Sequence, residues 1–231
     1  MAYVIDGRAL SQRIRAAIKQ EAEELKNKYG RMPGLAVIIA GDDQASRIYV
    51  RNKITACQEA GFYSVHKEFG ADTDRDTLIR AIAELNDDAN IDGILVQLPL
   101  PKGLDADEIL PFIDPSKDVD GLSALQQGLL LQGVPDLISC TPNGVIELIK
   151  SAGVEIAGKN AVVIGRSNMV GKPMAMLLLG ENATVTICHS KTKNLKETVK
   201  NADIVVAAIG RAKLITADMI KDGAVVIDVG M

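Results

Sequence analysis

Alternating strand and helix patterns predict an α/β protein of two lobes, an N-terminal α/β lobe and a C-terminal Rossmann-like lobe with a mostly parallel sheet. Three observations carry this. Short runs of Val, Ile, Leu and Ala recur between helix-forming stretches, glycines and prolines punctuate their ends, and 231 residues is long for one domain and short for two. Taking the elements in order, "GRALSQRIRAAIKQEAEELKNKYG" is rich in helix formers, places Leu10, Ile14, Ile18 and Leu25 near a 3.6 spacing, and ends at Gly30. "GLAVIIA" reads as a buried strand, 43–61 as a helix stopped by Gly61, "YSVHKEF" as a strand and "TDRDTLIRAIAELN" as a helix. "IDGILVQLPLP" is a strand broken by its prolines, and the proline-interrupted stretch 102–140 reads as loops and short helices.

A new helix is expected in "TPNGVIELIKSAGV", with Thr141 as cap and Pro142 in its first turn, bridging the lobes. Beyond it follow "KNAVVIG", a helix from about 171, "ATVTIC", a short helix near 194, "ADIVVAAIG" and "GAVVIDVG". The resulting division is 1–140 and 141–231.

Composition excludes several functions. Apolar residues are 47% and charged ones 24%, the mixture of a soluble globular chain. A formal net charge of −4 argues against a general nucleic-acid binder. "MAYVIDGRAL" lacks the basic region and apolar run of a signal peptide, and no run of about 18 apolar residues could span a bilayer, so a cytoplasmic protein with no membrane partner is expected. Cys57, Cys140 and Cys188 are widely spaced, odd in number and without a C-x-x-C pair, so reduced thiols and no metal site are expected.

The clearest local chemistry is "VVIGRSNMVGKPMAMLL". A Val/Ile strand runs into Gly165, a loop, Gly171 and a helix, a context that presents backbone N–H groups to an anion such as a dinucleotide phosphate. The spacing is G-x-x-x-x-x-G, so the generic G-x-G-x-x-G fingerprint fails, and a plain strand-to-helix turn is the competing reading. Arg166 follows the first glycine, and "CHSKT" ends the next strand where a dinucleotide enzyme meets the adenosine ribose. His189, Ser190, Lys191 and Thr192 offer donors and positive charge there instead of a carboxylate, which favours NADP over NAD. His189, without an obvious carboxylate partner in sequence, reads as a binding or surface residue and not as an acid or base.

On the first lobe, "SRIYVRNK" puts Ser46, Tyr49 and Lys53 at i, i+3 and i+7, one polar stripe along a helix. Taken alone it is a solvated face, Gln97 a strand-end polar residue, and Asp120 with Gly121 a turn. Together with "ITACQEAGF", "DGILVQLPLP", "DPSKDVDGL", "CTPNGVIELI", "VVIGRSNMVGKPMAMLL" and "CHSKT", in that order over nearly the whole chain, it resembles the methylenetetrahydrofolate dehydrogenase/cyclohydrolase family.

The resemblance implies that Lys53 is the central catalytic residue, that Tyr49 and Ser46 support it and contact substrate, and that Gln97 positions it. It implies a folate site with Asp120 on the pterin and with Leu98 and Pro99. The NADP site then comprises Gly165, Arg166, Ser167, Val170 and Gly171, with Pro173, His189, Ser190 and Thr141. The resemblance also implies a homodimer and a folate substrate; holding two rings in contact for hydride transfer suits a cleft between the lobes, and no metal is expected. Roughly fifty further residues after "VIDVG", with a "PGGVGP"-type loop and a terminal helix, are expected from the resemblance. Two other readings share the pattern: another two-lobed NADP oxidoreductase of the shikimate dehydrogenase type, whose match to "KDVDG" and "VQLPLP" is poor, and a non-catalytic NADP-binding module.

Overall fold

The computed structural model describes residues 2–230. The chain divides into two compact units, one of Asp6–Gln126 and one of the segment ending at Ile5 together with the chain from Gln127 onward.

In the first unit, helix α1 (Gly7–Tyr29) precedes strand β1 (Gly34–Ala40), helix α2 (Gln44–Ala60), β2 (Tyr63–Phe69), α3 (Arg75–Asp87) and β3 (Gly93–Val96). The three strands are parallel in the order β2-β1-β3. Each helix starts where an aspartate can cap it: Asp6 accepts from the N–H of Ala9, Asp43 from that of Ser46, and Asp74 from that of Thr77. Gly30 and Gly61 close α1 and α2 in the left-handed conformation, which a glycine enters without a Cβ penalty.

Alternation along β1 divides the core between its faces. Ala36, Ile38 and Ala40 pack with Leu78, Ile82 and Leu85 of α3, and Val37 and Ile39 pack with Val50 of α2. The stripe expected of α1 is only partly buried. Ala22 is its one buried residue, whereas Ile14 and Leu25 stay exposed.

The stretch 102–140 contains a short helix α4 (Ala106–Ile109), two 3-10 turns and an eight-residue helix α5 (Ala124–Leu131), within which the division of the chain falls. The expected bridging helix is therefore not the junction. α6 (Cys140–Ser151) belongs to the second unit, where its Val145, Ile146 and Ile149 pack against Met174 and Leu178. Nor does Thr141 cap it: the helix begins two residues earlier than that cap requires, at Cys140, with Ser139 at the cap position. α5 is one of the short helices expected there, its eight residues with an internal glycine carrying only a weak helical signal.

The second unit continues with β4 (Asn160–Ile164), α7 (Gly171–Gly180), β5 (Thr184–Cys188), α8 (Leu195–Lys200), β6 (Ile204–Ala207) and β7 (Val225–Asp228). Its sheet is parallel, in the order β5-β4-β6-β7. Val163, Ile204 and Val206 face α6 and α7, while Val162, Ile164 and Val205 face Val199 of α8. Strand order thus reverses beside the first strand of each unit, and the carboxyl ends there are where open α/β sheets hold ligands.

Candidate active site and cofactor site

In the first unit the polar stripe of α2 meets the end of β3. The N–H of Gln97 still donates to Ile38 O at 2.8 Å, so the strand ladder fixes this residue beyond the last strand position. The Lys53 Nζ donates to Gln97 Oε1 at 3.0 Å, the Gln97 Nε2 donates to Leu98 O at 2.6 Å, and Ser46 Oγ donates to the same carbonyl at 3.4 Å. A carbonyl can only accept, so the amide must turn its nitrogen toward Leu98 and its oxygen toward the lysine. The geometry therefore sets which atom of Gln97 the lysine meets. The Leu98–Pro99 peptide is cis.

Burial grades along the stripe. Ser46 is buried, Lys53 half-buried and Tyr49 exposed. Leu98 is half-buried and Pro99 exposed. Asp120 comes from a separate loop. Asp118 forms a parallel bridge with Ile94 of β3, so Asp120, two residues on, lies toward the carboxyl end of that strand.

That loop contains residues to which the sequence reading gave no role. Lys117 Nζ donates to Leu85 O, Asn86 O and Asp88 O at 3.2, 2.6 and 3.0 Å, placing a cation on the carbonyl end of α3. Asp118 and Gln126 are among the few buried polar residues. The motif "DPSKDVDGL" was the available signal, but nothing in it tells a ligand-facing aspartate from a buried one.

In the second unit, Gly165 and Gly171 are held by close approach. A Cβ at Gly165, whose φ is +135°, would lie 2.3 Å from Ala208 O, and one at Gly171 would lie 2.4 Å from Gly165 O. No larger residue fits without moving backbone. The loop between them is organised by Ser167, whose Oγ accepts from the N–H groups of Val170 and Gly171 at 3.2 and 3.3 Å. Ser167 O accepts from Lys172 N, Val170 O accepts from Met174 N, and Pro173 has no N–H. The first-turn N–H groups of α7 are thus engaged within the loop, so the expectation that they face an anion is corrected. Donation on this side falls to the loop 166–169 and to side chains. Ser139, buried at the start of α6, donates from Oγ to Met169 O at 2.9 Å and ties the loop down.

At the end of β5 the N–H of His189 donates to Thr192 Oγ1 at 2.8 Å, and that of Lys191 to His189 Nδ1 at 3.1 Å, closing a tight turn. His189 therefore spends one ring nitrogen on the backbone N–H of Lys191, as a turn residue would. Ile164 pairs with Cys188, so Arg166 and Ser190 occupy equivalent places beyond neighbouring strands. Both are exposed, and among the described residues Arg166 has no ion-pair partner. The turn 189–193 reads His-Ser-Lys-Thr-Lys, with no carboxylate. That donor set fits the 2′-phosphate of NADP better than a bare hydroxyl. Val170 precedes α7, Pro173 is buried in its first turn and Thr141 is exposed in the first turn of α6.

Other chemistry is limited. Burial pushes the Cys57 and Cys188 thiols above their ordinary range, away from thiolate character. Among the described residues no cluster of three His, Cys, Asp or Glu side chains could hold a metal ion, and no helix is long and apolar enough to cross a membrane.

Two parallel α/β units, one with a lysine–glutamine pair beyond its strands and one with a glycine-bounded strand-to-helix loop, define a protein of the dinucleotide-dependent enzyme class. Residues 5–120 match the tetrahydrofolate dehydrogenase/cyclohydrolase catalytic domain, and 139–231 match the NAD(P)-binding domain of the same family. The bifunctional protein FolD of Campylobacter concisus is 54% identical over 228 residues, covering 99% of this chain and 80% of that protein. Its counterpart from Herminiimonas arsenicoxydans is 55% identical, covering 100% and 81%.

Among solved structures, the bifunctional FolD of Campylobacter jejuni superimposes with a TM-score of 0.96 at 43% identity, covering 99% of this chain and 81% of that one. The Trypanosoma brucei methylenetetrahydrofolate dehydrogenase-cyclohydrolase, solved with NADP cofactor and inhibitor, gives 0.95 at 40% identity, covering 99% and 79%. The chain belongs to the tetrahydrofolate dehydrogenase/cyclohydrolase family, and spans about four-fifths of the length of these relatives. The resemblance seen in the motifs is borne out. Shikimate dehydrogenase from Aquifex aeolicus, at a TM-score of 0.52 and 18% identity, shares the fold alone.

Proposed function

We propose that this chain oxidises 5,10-methylenetetrahydrofolate to 5,10-methenyltetrahydrofolate with NADP and hydrolyses the methenyl product to 10-formyltetrahydrofolate. The observation that carries the reading is the Lys53–Gln97 contact at the carboxyl end of β3. NADP, when bound, supplies the acceptor for the hydride that leaves the bridging methylene. Arg166 and Ser190 would hold its 2′-phosphate, and the loop from Gly165 to Gly171, with Ser167, Val170 and Pro173, would carry the rest, flanked by Thr141 and His189. Asp120 holds the pterin, and Tyr49, Leu98 and Pro99 line its place.

Lys53 performs the hydrolytic step. Its neutral amine takes a proton from the water that attacks the methenyl carbon, and the resulting ammonium returns a proton to N5 as the C–N5 bond breaks. The remaining hydroxyl proton leaves to solvent, so that the step adds one water and releases one proton. Gln97 Oε1 accepts one N–H of the amine and thereby directs the nitrogen lone pair away from itself. Ser46 supports this arrangement through Leu98 O.

The same proposal places the enzyme in the cytoplasm, with its cysteines free, as a homodimer without nucleic-acid or membrane partners. The test is an assay with methylenetetrahydrofolate and NADP in which reduced cofactor and methenyl absorbance are followed separately. Lys53→Met is expected to lower hydrolysis by at least about a hundredfold while NADP binding persists. Undiminished methenyl hydrolysis by that variant removes Lys53 from the role.

A further inference from the structure

The buried carboxyl of Asp118 has no part in the chemistry above, yet it organises the turn that presents Asp120. Asp118 is 3% exposed. Its Oδ2 accepts from the N–H of Ser123 at 2.7 Å, and its backbone O accepts from the N–H of Gly121 at 3.0 Å. These two bonds close the loop on either side of Asp120, with Gly121 in the left-handed conformation at φ +60°. The turn is also anchored from outside. Asp118 bridges to Ile94 of β3, Lys117 is bound to three carbonyls at the end of α3, and the Gln126 Nε2 donates to Pro115 O at 2.9 Å.

We infer that Asp118 is a positioning residue for folate: its carboxyl fixes the 118–123 turn against β3 and so sets where the Asp120 side chain stands relative to Lys53 and Gln97. The inference rests on the proposed pterin role of Asp120 and extends it. The physical reason is that only Val119 of this short turn packs into an apolar cluster, against Val37, Ile39, Val50 and Leu95, so the shape of the turn around Asp120 depends on a few directional bonds. Removing the side chain leaves the half-buried Ser123 N–H without its acceptor and lets the turn relax. A displacement of about 1 Å at a substrate contact is enough to weaken binding by an order of magnitude or more.

The experiment compares Asp118→Ala, Asp118→Asn and Asp120→Ala with the parent chain, each held well below its melting midpoint. KM and kcat for methylenetetrahydrofolate are measured at saturating NADP, with Kd values for tetrahydrofolate and NADP determined by calorimetry. Asp118→Ala is expected to raise the folate KM and Kd about tenfold, with NADP Kd unchanged. Asp118→Asn, whose amide oxygen still accepts from Ser123, is expected to restore most of the affinity. Folate constants in Asp118→Ala within about twofold of the parent, or an Asn variant no better than Ala, overturn the positioning role. If these fail while Asp120→Ala still weakens folate, only the positioning role falls. If Asp120→Ala leaves folate binding unchanged, the pterin assignment falls and this inference with it.

Discussion

At the scale of single residues, identical chemistry divides by location. Asp118 and Asp120 stand two apart in one motif, yet the first accepts from Ser123 in a buried turn and the second is half-buried toward the end of β3. Lys53 and Lys117 differ in the same way: one meets a side-chain amide, the other plugs three backbone carbonyls. Arg166 lies beyond β4, level with Ser190 beyond β5, and among the described residues it has no ion-pair partner. Arg166→Ala is therefore expected to raise the KM for NADP on the order of tenfold, the worth of a charge-assisted hydrogen bond, and to leave the KM for NAD nearly unchanged. Steady-state kinetics with both cofactors measures this. Equal effects on the two would contradict the 2′-phosphate assignment.

At the scale of elements, the helix that carries Ser46, Tyr49 and Lys53 depends on its cap. The N–H of Ser46 donates to Asp43 at 2.7 Å, and this bond holds the Asp43 carboxyl below its ordinary range. A carboxyl whose pKa is lowered on folding stabilises the protein fully above its unfolded value of about 3.9, and that contribution is lost as pH falls through the folded value. Asp43→Asn keeps a capping oxygen but does not titrate. It is expected to match the parent Tm near neutral pH and to lose less of it on acidification, in melts between about pH 3 and 7. An unchanged acid-side slope would show that the cap does not couple to pH. The loop before α7 follows a different rule, since Ser167 and two carbonyls satisfy the N–H groups that a generic phosphate-binding helix leaves open.

At the scale of the whole molecule, β5 is an edge strand of its sheet, and its exposed positions include the β-branched Thr184, Thr186 and Ile187. Such an edge offers unpaired backbone groups to a second copy. The proposed homodimer should therefore appear in light scattering as twice 24.6 kDa at micromolar concentration, and Ile187→Lys should shift it toward monomer. A parent chain that stays monomeric would defeat the proposal. The sequence by itself determined the α/β class, every strand among the described residues, and the family, because strand runs, glycine stops and the ordered motifs are local patterns. It could not place the end of the first unit inside α5, show that Asp118 is buried and accepts from Ser123, or show that Ser139 secures Met169. Only the tertiary structure decided these. Each depends on contacts between residues distant in the chain, and a residue's type does not say whether its hydrogen-bond partner is substrate, solvent or backbone.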